Sequence, residues 1–478
     1  VNPQKRMYNP VKINPANTAK DVLGDNRPTP VMRLTNLFNR LMQQAEVDRA
    51  VIFVVLTRGW QLLTGPVTLV LIATYFTPEV QGFFYTFASL LALQSFVELG
   101  FYLVIINVSS HEWAHLGLDE NGYLIGEPKA LSRLVSLGRL IFKWYAVASV
   151  VFVIAVGIIG FIFFSQTPYP DIRWQTPWLT LVALTGLLLW TLPFNSLLEG
   201  CNQVATVNQF RLIQAVLGIL ALWSSVILGG ALWAAVAMAG VKLASDLYLL
   251  LIRYRRFFKP FFTPPTGSHM HWQTEIWPMQ WRLALSGIVN YLAFSLFNPV
   301  MFQYHGAAVA GQMGMTWQLT YVLQQIAMAW VHTKVPRFGM LIAKKDYQGL
   351  DRFWLRTSLV SLVIISIGAA VIWLLVYALN VLQVSLAQRL LSPLPMGLFL
   401  LAAIFFQAAQ CQTAYLRAHK QEPIMVMSVV TSLMIGALVW LLGSRFGPVG
   451  AAGSYLGVVI VILVWDTLIW LRCRAEWH

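Results

Sequence analysis

The residue types that could do chemistry fall into two groups. One is His111-Glu112-Trp113-Ala114-His115, which matches H-E-x-x-H. On a helix this spacing puts both imidazoles on one face to hold zinc, with the glutamate as general base. Asp119, Glu120 and Glu127 offer carboxylates for a third ligand, but Asp-Glu-Asn-Gly at 119–122 reads as a turn. A five-residue pattern also arises often by chance. No metal centre is therefore expected, and His111, Glu112 and His115 stand as a minor alternative, a membrane zinc metalloprotease.

The other group consists of polar and charged side chains inside apolar runs. Arg58 lies in VIFVVLTRGWQLLTG and Glu98 in the next run. A central arginine costs roughly 2.5–3.5 kcal/mol on insertion scales, so it needs a partner, a wet cavity, or a shallow position from which it snorkels. Glu98 is a plausible counter-ion, either in a cavity or in a structural pair. Lys242 and Asp246 are spaced i, i+4 and share a helix face. They either neutralise each other or line a cavity, where the carboxylate would carry a proton and the ammonium would meet an anion. Arg282, Asn290 and Asn298 follow on one run, and Gln318 and Gln325 share a face on the next. Such a polar face suits a hydroxyl-rich or phosphate-bearing ligand, or else hydrogen-bonds one helix to another.

The elements that must position these groups are membrane spans. Hydrophobic residues make up 58% of the chain and charged residues only 11%, against about 25% in soluble domains. Mean hydropathy is +0.64. Apolar segments run at 50–75, 80–108, 138–165, 177–199, 205–228, 231–253, 281–304, 309–333, 355–380, 394–416, 423–443 and 448–471. The expected fold is an all-α integral membrane protein of about twelve transmembrane helices. The formal net charge of +14 does not signal nucleic acid, because the basic residues cluster in the connections. In alternate connections 28 Lys and Arg fall on one side and 3 on the other, which predicts cytoplasmic N and C termini. Residues 1–30 are expected to be a disordered cytoplasmic tail and 31–49 an amphipathic helix on the membrane surface or packed on the protein. Cys201, Cys411 and Cys473 are too scattered for a disulfide framework or a clustered metal site. The sequence holds no Walker-type phosphate loop, paired-aspartate glycosyltransferase motif or nucleophile motif, so neither an enzyme nor a cofactor is expected.

A weak repeat divides the chain. YFTPEVQG at 75–82 and YHGAAVAG at 304–311 share Tyr, Val and Gly at an offset of 229, and LEGCNQ at 198–203 parallels LRAHKQ at 416–421. This predicts two co-oriented six-helix lobes, 50–254 and 281–472, related by a pseudo-two-fold axis along the membrane normal. A basic linker at 255–280 would join them, and 473–478 would be a cytoplasmic tail.

Three segments carry a family resemblance: YFTPEVQGFFYTFASLLALQSFVELGF at 75–101, WRLALSGIVNYLAFSLFNPVMFQYHGAAVAGQMGMTWQL at 281–319, and TKVPRFGMLIAKKDYQGLDR at 333–352. They resemble the polysaccharide flippases (lipid-linked oligosaccharide, O-antigen type) of the multidrug/oligosaccharidyl-lipid/polysaccharide exporter superfamily. The loop at 111–128 and the first 49 residues depart from that pattern. The resemblance implies a translocase of a polyprenyl-pyrophosphate-linked oligosaccharide, working by alternating access in the bacterial inner membrane for polysaccharide or lipopolysaccharide biosynthesis. It implies membrane lipids and pathway glycosyltransferases or a polymerase as partners, and no nucleic acid. An ion-coupled drug exporter of the same superfamily is the alternative, for which an acidic cavity is expected.

Overall fold

The computed structural model describes residues 49–98, 101–166, 169–263, 293–419 and 423–477, with isolated positions at 277, 281, 285, 288, 289, 291 and 421. The expected N-terminal tail and surface helix, most of the linker, Arg282 and Asn290 lie outside the described residues. Apart from one two-stranded hairpin, the described chain is helical: α1 Arg49–Tyr75, α2 Pro78–Leu91, α3 Gln94–Glu98, α4 Phe101–Trp113, β1 Leu116–Leu118, β2 Leu124–Gly126, α5 Pro128–Ser165, α6 Gln175–Gly200, α7 Val204–Ile227, α8 Trp233–Tyr248, α9 Arg255–Phe258, α10 Phe297–His305, α11 Ala307–His332, α12 Val335–Ala343, α13 Tyr347–Val381, α14 Pro393–Ala418, α15 Met425–Leu438 and α16 Ser444–Trp477. Among the described residues nine helical segments are long and apolar enough to cross a membrane.

These helices place their side chains as a bilayer demands. On α13, Leu355, Leu359, Val363, Ile367 and Val371 are exposed at four-residue spacing, while Thr357, Ser358, Ser361, Ile365 and Ala369 are buried. The apolar stripe faces outward because lipid tails solvate it, and the small and hydroxylated residues face inward, where helix backbones approach closely. The buried hydroxyls bond locally or across a helix contact: Ser361 donates to the Ala327 carbonyl at 2.8 Å and accepts from Gln407 at 2.8 Å.

Several expected spans take a different form. The run at 80–108 is divided: α2 ends at Leu91, a turn follows, and α3 carries Gln94 and Glu98. At this break Ser95 donates to the Ala92 carbonyl at 2.9 Å, a local bond that competes with the helical ladder. Helix α5 begins ten residues before its apolar run, and at 38 residues it is about 57 Å long, so its basic first turns extend beyond a ~30 Å hydrocarbon core. The segment expected to open the linker is docked instead, with Phe257, Phe258 and Phe261 buried in the main core. The 53 residues from Met425 to Trp477 double back at Gly447, whose φ of 63° and ψ of −146° suit only glycine. Ser454 thereby reaches the Leu438 carbonyl at 3.3 Å.

The two halves meet at α2 and α11, and the contact is reciprocal at the repeat offset. A Cβ on Gly82 would collide with the Ala307 carbonyl, and one on Gly311 would lie 2.9 Å from the Pro78 carbonyl oxygen. Pro78 and Ala307 are themselves repeat mates, as are Gly82 and Gly311. Gln81 fastens the joint, donating to the carbonyls of Gly311 at 2.7 Å and Arg389 at 3.1 Å.

Candidate functional site: a cation-lined cavity

A cavity of about 820 Å³ opens among α1, α2, α6, α7 and α8, all from the first half of the chain. Much of its wall is apolar, with Phe84, Phe87 and Leu188 among the lining residues, but charged groups converge on it. Arg58 comes from α1, Arg211 from α7, and Lys242 and Asp246 from α8. Helix α1 is fixed against α7 by two indole bonds: Trp60 donates to the Ala215 carbonyl at 3.2 Å and Trp223 to the Thr68 hydroxyl at 2.9 Å.

The charges are differently engaged. Asp246 is buried and its carboxylate accepts from three neutral donors: Asn195 at 3.0 Å and Gln214 at 2.7 Å on one oxygen, Thr191 at 3.3 Å on the other. A buried carboxylate needs such donors when no cation pairs with it. The expected neutralisation of Asp246 by Lys242 is therefore replaced by a cradle built from α6 and α7. Arg211 is paired with Glu199, and the pair is completed by Tyr102, which donates to Glu199 at 2.9 Å, and by Asn208, which accepts from Arg211 at 3.2 Å. Arg58 is exposed to the cavity and among the described residues reaches only Gln61, at 3.5 Å, so the proposed Arg58–Glu98 pair is not formed. Glu98 instead interacts electrostatically with Lys242. Among the described residues neither Arg58 nor Lys242 has a carboxylate within ion-pair distance. Lys242 keeps Glu98 as an electrostatic neighbour, and Arg58 keeps Gln61.

The remaining sequence candidates lie elsewhere. Asn298 is buried on α10 and donates to Ser89 at 3.0 Å, joining α10 to α2. Gln318 and Gln325 are on α11 and outside the cavity lining. Glu199, Arg211 and Tyr102 were not singled out from sequence, because Arg211 reads as part of a connection when it lies well inside α7. Asp466, on α16, was missed as well. It is 1% exposed, accepts from Thr413 at 3.2 Å, and its Oδ1 has no hydrogen-bond partner among the described residues. The signal lies in the sequence: Asp466, like Asp246, is an ionisable residue inside an apolar run.

The H-E-x-x-H reading does not survive the backbone. Helix α4 ends at Trp113, so His111 is helical while His115 sits in the following turn, and the two do not share a helical face. Glu112 is held by Arg133 at 2.8 Å and is not free to act as a base on water. Among the described residues no three His, Cys, Asp or Glu gather to hold a metal. The segment forms a hairpin instead, with the 119–122 turn closed by the Asp119 carboxylate on the Tyr123 N–H at 2.7 Å.

Long apolar helices make this a multi-pass membrane protein, and solved structures place its fold more closely. No family model matches the sequence, and comparison with curated proteins finds no match. A MATE-family multidrug resistance transporter of the MOP superfamily, inward-facing, aligns with a TM-score of 0.63 at 13% identity, over 89% of this chain and 99% of that one. The lipid II flippase MurJ, inward closed, aligns with a TM-score of 0.59 at 12% identity, over 87% of each chain. A MOP superfamily transporter from Pyrococcus furiosus, described as having a binding pocket of reversed polarity, gives 0.52 at 14% identity, over 90% and 95%. The chain has the fold of the MOP superfamily transporters, the superfamily its sequence resembles.

Proposed function

We propose that this protein flips a polyprenyl-pyrophosphate-linked oligosaccharide across the bacterial inner membrane by alternating access. In this reading twelve spans form two six-helix lobes with both termini in the cytoplasm, and the reciprocal contact at Gly82 and Gly311 supports the pseudo-two-fold relation. The carrying observation is the charge arrangement in the cavity. Arg58 and Lys242 face the space unpaired by carboxylates among the described residues, while Asp246 and Glu199 are already satisfied. A cation in a largely apolar cavity favours an anion, and guanidinium matches phosphate oxygens in bidentate geometry. An interior-negative potential also assists outward movement of an anion, by about 2.3 kcal/mol per charge per 100 mV.

The drug-exporter reading is favoured by one observation, the buried carboxylates of Asp246 and Asp466, which suit a coupling cation. Proteoliposomes separate the two. Loaded with a fluorescent polyprenyl-pyrophosphate disaccharide, they should show flipping that falls at least tenfold in Arg58→Gln and in Lys242→Gln. Ethidium transport without lipid flipping would sink the flippase reading. Unchanged flipping in both variants would remove the cavity cations from it.

A further inference from the structure

A second cavity, of about 570 Å³, lies in the other half of the chain, where the α13–α14 connection meets α11 and α16. Its polar lining comes from Gln312, Asn380, Gln383, Gln388 and Ser392, and none of its lining side chains is charged. Leu391, Pro395 and Pro448 supply an apolar floor. In the topology proposed above, this connection is on the extracytoplasmic side.

The amides are set in a fixed frame. Gln383 follows the end of α13 with a φ of 52°, and the next N–H, of Val384, bonds back to the Leu379 carbonyl at 3.1 Å, a helix-terminating arrangement. The Leu391 N–H donates to the Thr316 hydroxyl at 3.2 Å, tying the other end of the connection to α11. Gln312 donates to the Gln388 carbonyl at 3.0 Å and Asn380 to the Val376 carbonyl at 2.9 Å, so each keeps its own amide oxygen as an acceptor. Among the described residues the side chains of Gln383 and Gln388 make no hydrogen bond, and Ser392 makes no cap bond. Trp373 donates to the Pro393 carbonyl at 3.0 Å, beside Ser392, and stacks on Tyr377 at 5.5 Å. These contacts fix the α13 end of the connection against the start of α14.

We infer that this pocket is a binding site for neutral sugar residues, distinct from the cation-lined cavity. An uncharged wall offers nothing to a pyrophosphate or an organic cation. Each free amide pairs a donor with an acceptor, the pattern that two adjacent hydroxyls of a pyranose complement. The apolar side chains of Leu391, Pro395 and Pro448 suit the C–H face of the same ring. The volume falls in the range of small-molecule sites. The site also bears on the joint between the halves. The short 3-10 helix Ser385–Arg389 that lines it offers the Gln388 carbonyl to Gln312 and the Arg389 carbonyl to Gln81.

The assignment of sugar as ligand rests on the glycan reading, so the test reads the pocket without transport. Saturation-transfer NMR on the full chain in detergent would use maltotriose, cellotriose, mannotriose and triacetylchitotriose as probes. At least one should bind, and the double variant Gln383→Ala/Gln388→Ala should weaken it at least tenfold with unchanged thermal unfolding. Arg58→Gln, which impairs the proposed cargo cavity, should leave sugar binding intact. Binding that the double variant does not weaken, or that Arg58→Gln abolishes, overturns the site. If none of the four binds while Arg58-dependent lipid flipping is intact, the pocket inference fails and the flippase reading stands.

Discussion

Each half of the chain buries an aspartate on its last long helix and treats it differently. Asp246 on α8 lines a cavity and sits in a cradle of three neutral donors from α6 and α7. Asp466 on α16 is packed in, with one donor, Thr413, and an orphaned oxygen. The donors correspond as well: Asn195 and Thr413 are separated by the same 218 residues as the LEGCNQ and LRAHKQ segments. Asp246 thus borders an open space that cations also line, and Asp466 does not line that cavity. The aspartates themselves are 220 residues apart, so it is the surrounding residues that decide what each can meet.

The joint that both halves share should be the most sensitive to change. Gly82→Ala places a methyl against the Ala307 carbonyl, a backbone atom that cannot rotate away. Overpacking of this kind costs about 1–3 kcal/mol and forces α2 from α11. We expect a thermal midpoint lower by several degrees and a loss of flipping of tenfold or more. Gly311→Ala should do the same to a lesser degree, because its nearest contacts are at 2.9 Å. If either variant behaves as wild type, the reciprocal contact is not a tight joint.

Next in size is the Arg211–Glu199–Tyr102 group of the first half, which sits on the cavity wall, whereas the Arg474–Asp351–Tyr415 group of the second half does not line that cavity. Arg211→Met leaves Glu199 with its side chain 9% exposed and without its cation. Stranding a buried charge costs roughly 3–5 kcal/mol, and because Arg211 is 40% exposed the expected loss is about 1–3 kcal/mol. Adding Glu199→Gln should restore most of it in thermal unfolding. No recovery in the double variant would mean the methionine acts by packing alone.

How far the sequence went depends on what each feature required. The spans at 50–75, 177–199, 205–228 and 394–416 match helices closely, because a continuous apolar run carries enough signal by itself. The reversal at Gly447 was also legible, since the runs on either side are apolar and the residues between contain Gly and Pro. The break before Glu98 was not, because it depends on a local Ser95 bond inside an unbroken apolar run. Arg58, Lys242 and Asp246 stood out as charges among apolar neighbours and do come together on one cavity. The partners did not stand out. Asn195, Gln214 and Thr191 become a carboxylate cradle only when α6, α7 and α8 pack, and sequence alone favoured the nearby Lys242. His111 and His115, a minor alternative in the sequence, show the converse, since spacing implies a shared face only where the helix continues.

The smallest expected effects address the two aspartates directly. In Asp246→Asn the amide oxygen can keep both bonds from Asn195 and Gln214. The new NH₂ then faces Thr191, whose one hydroxyl proton is shared between Leu188 at 2.9 Å and Asp246 at 3.3 Å; it can settle on the Leu188 carbonyl and leave the hydroxyl oxygen to accept from the amide. All cradle partners remain used, and stability should stay within about 1 kcal/mol of wild type. What changes is the charge facing Arg58 and Lys242, so inorganic pyrophosphate should bind two- to tenfold more tightly. In Asp466→Asn a buried anion with an unpartnered oxygen becomes neutral while Thr413 keeps an acceptor. Thermal stability should hold or rise by a degree or two, and pyrophosphate binding should not move. The measurements are calorimetric titration and thermal unfolding of the two variants side by side. Equal pyrophosphate responses from both would mean the aspartates stand in the same relation to the cavity, and the contrast between the halves would be lost.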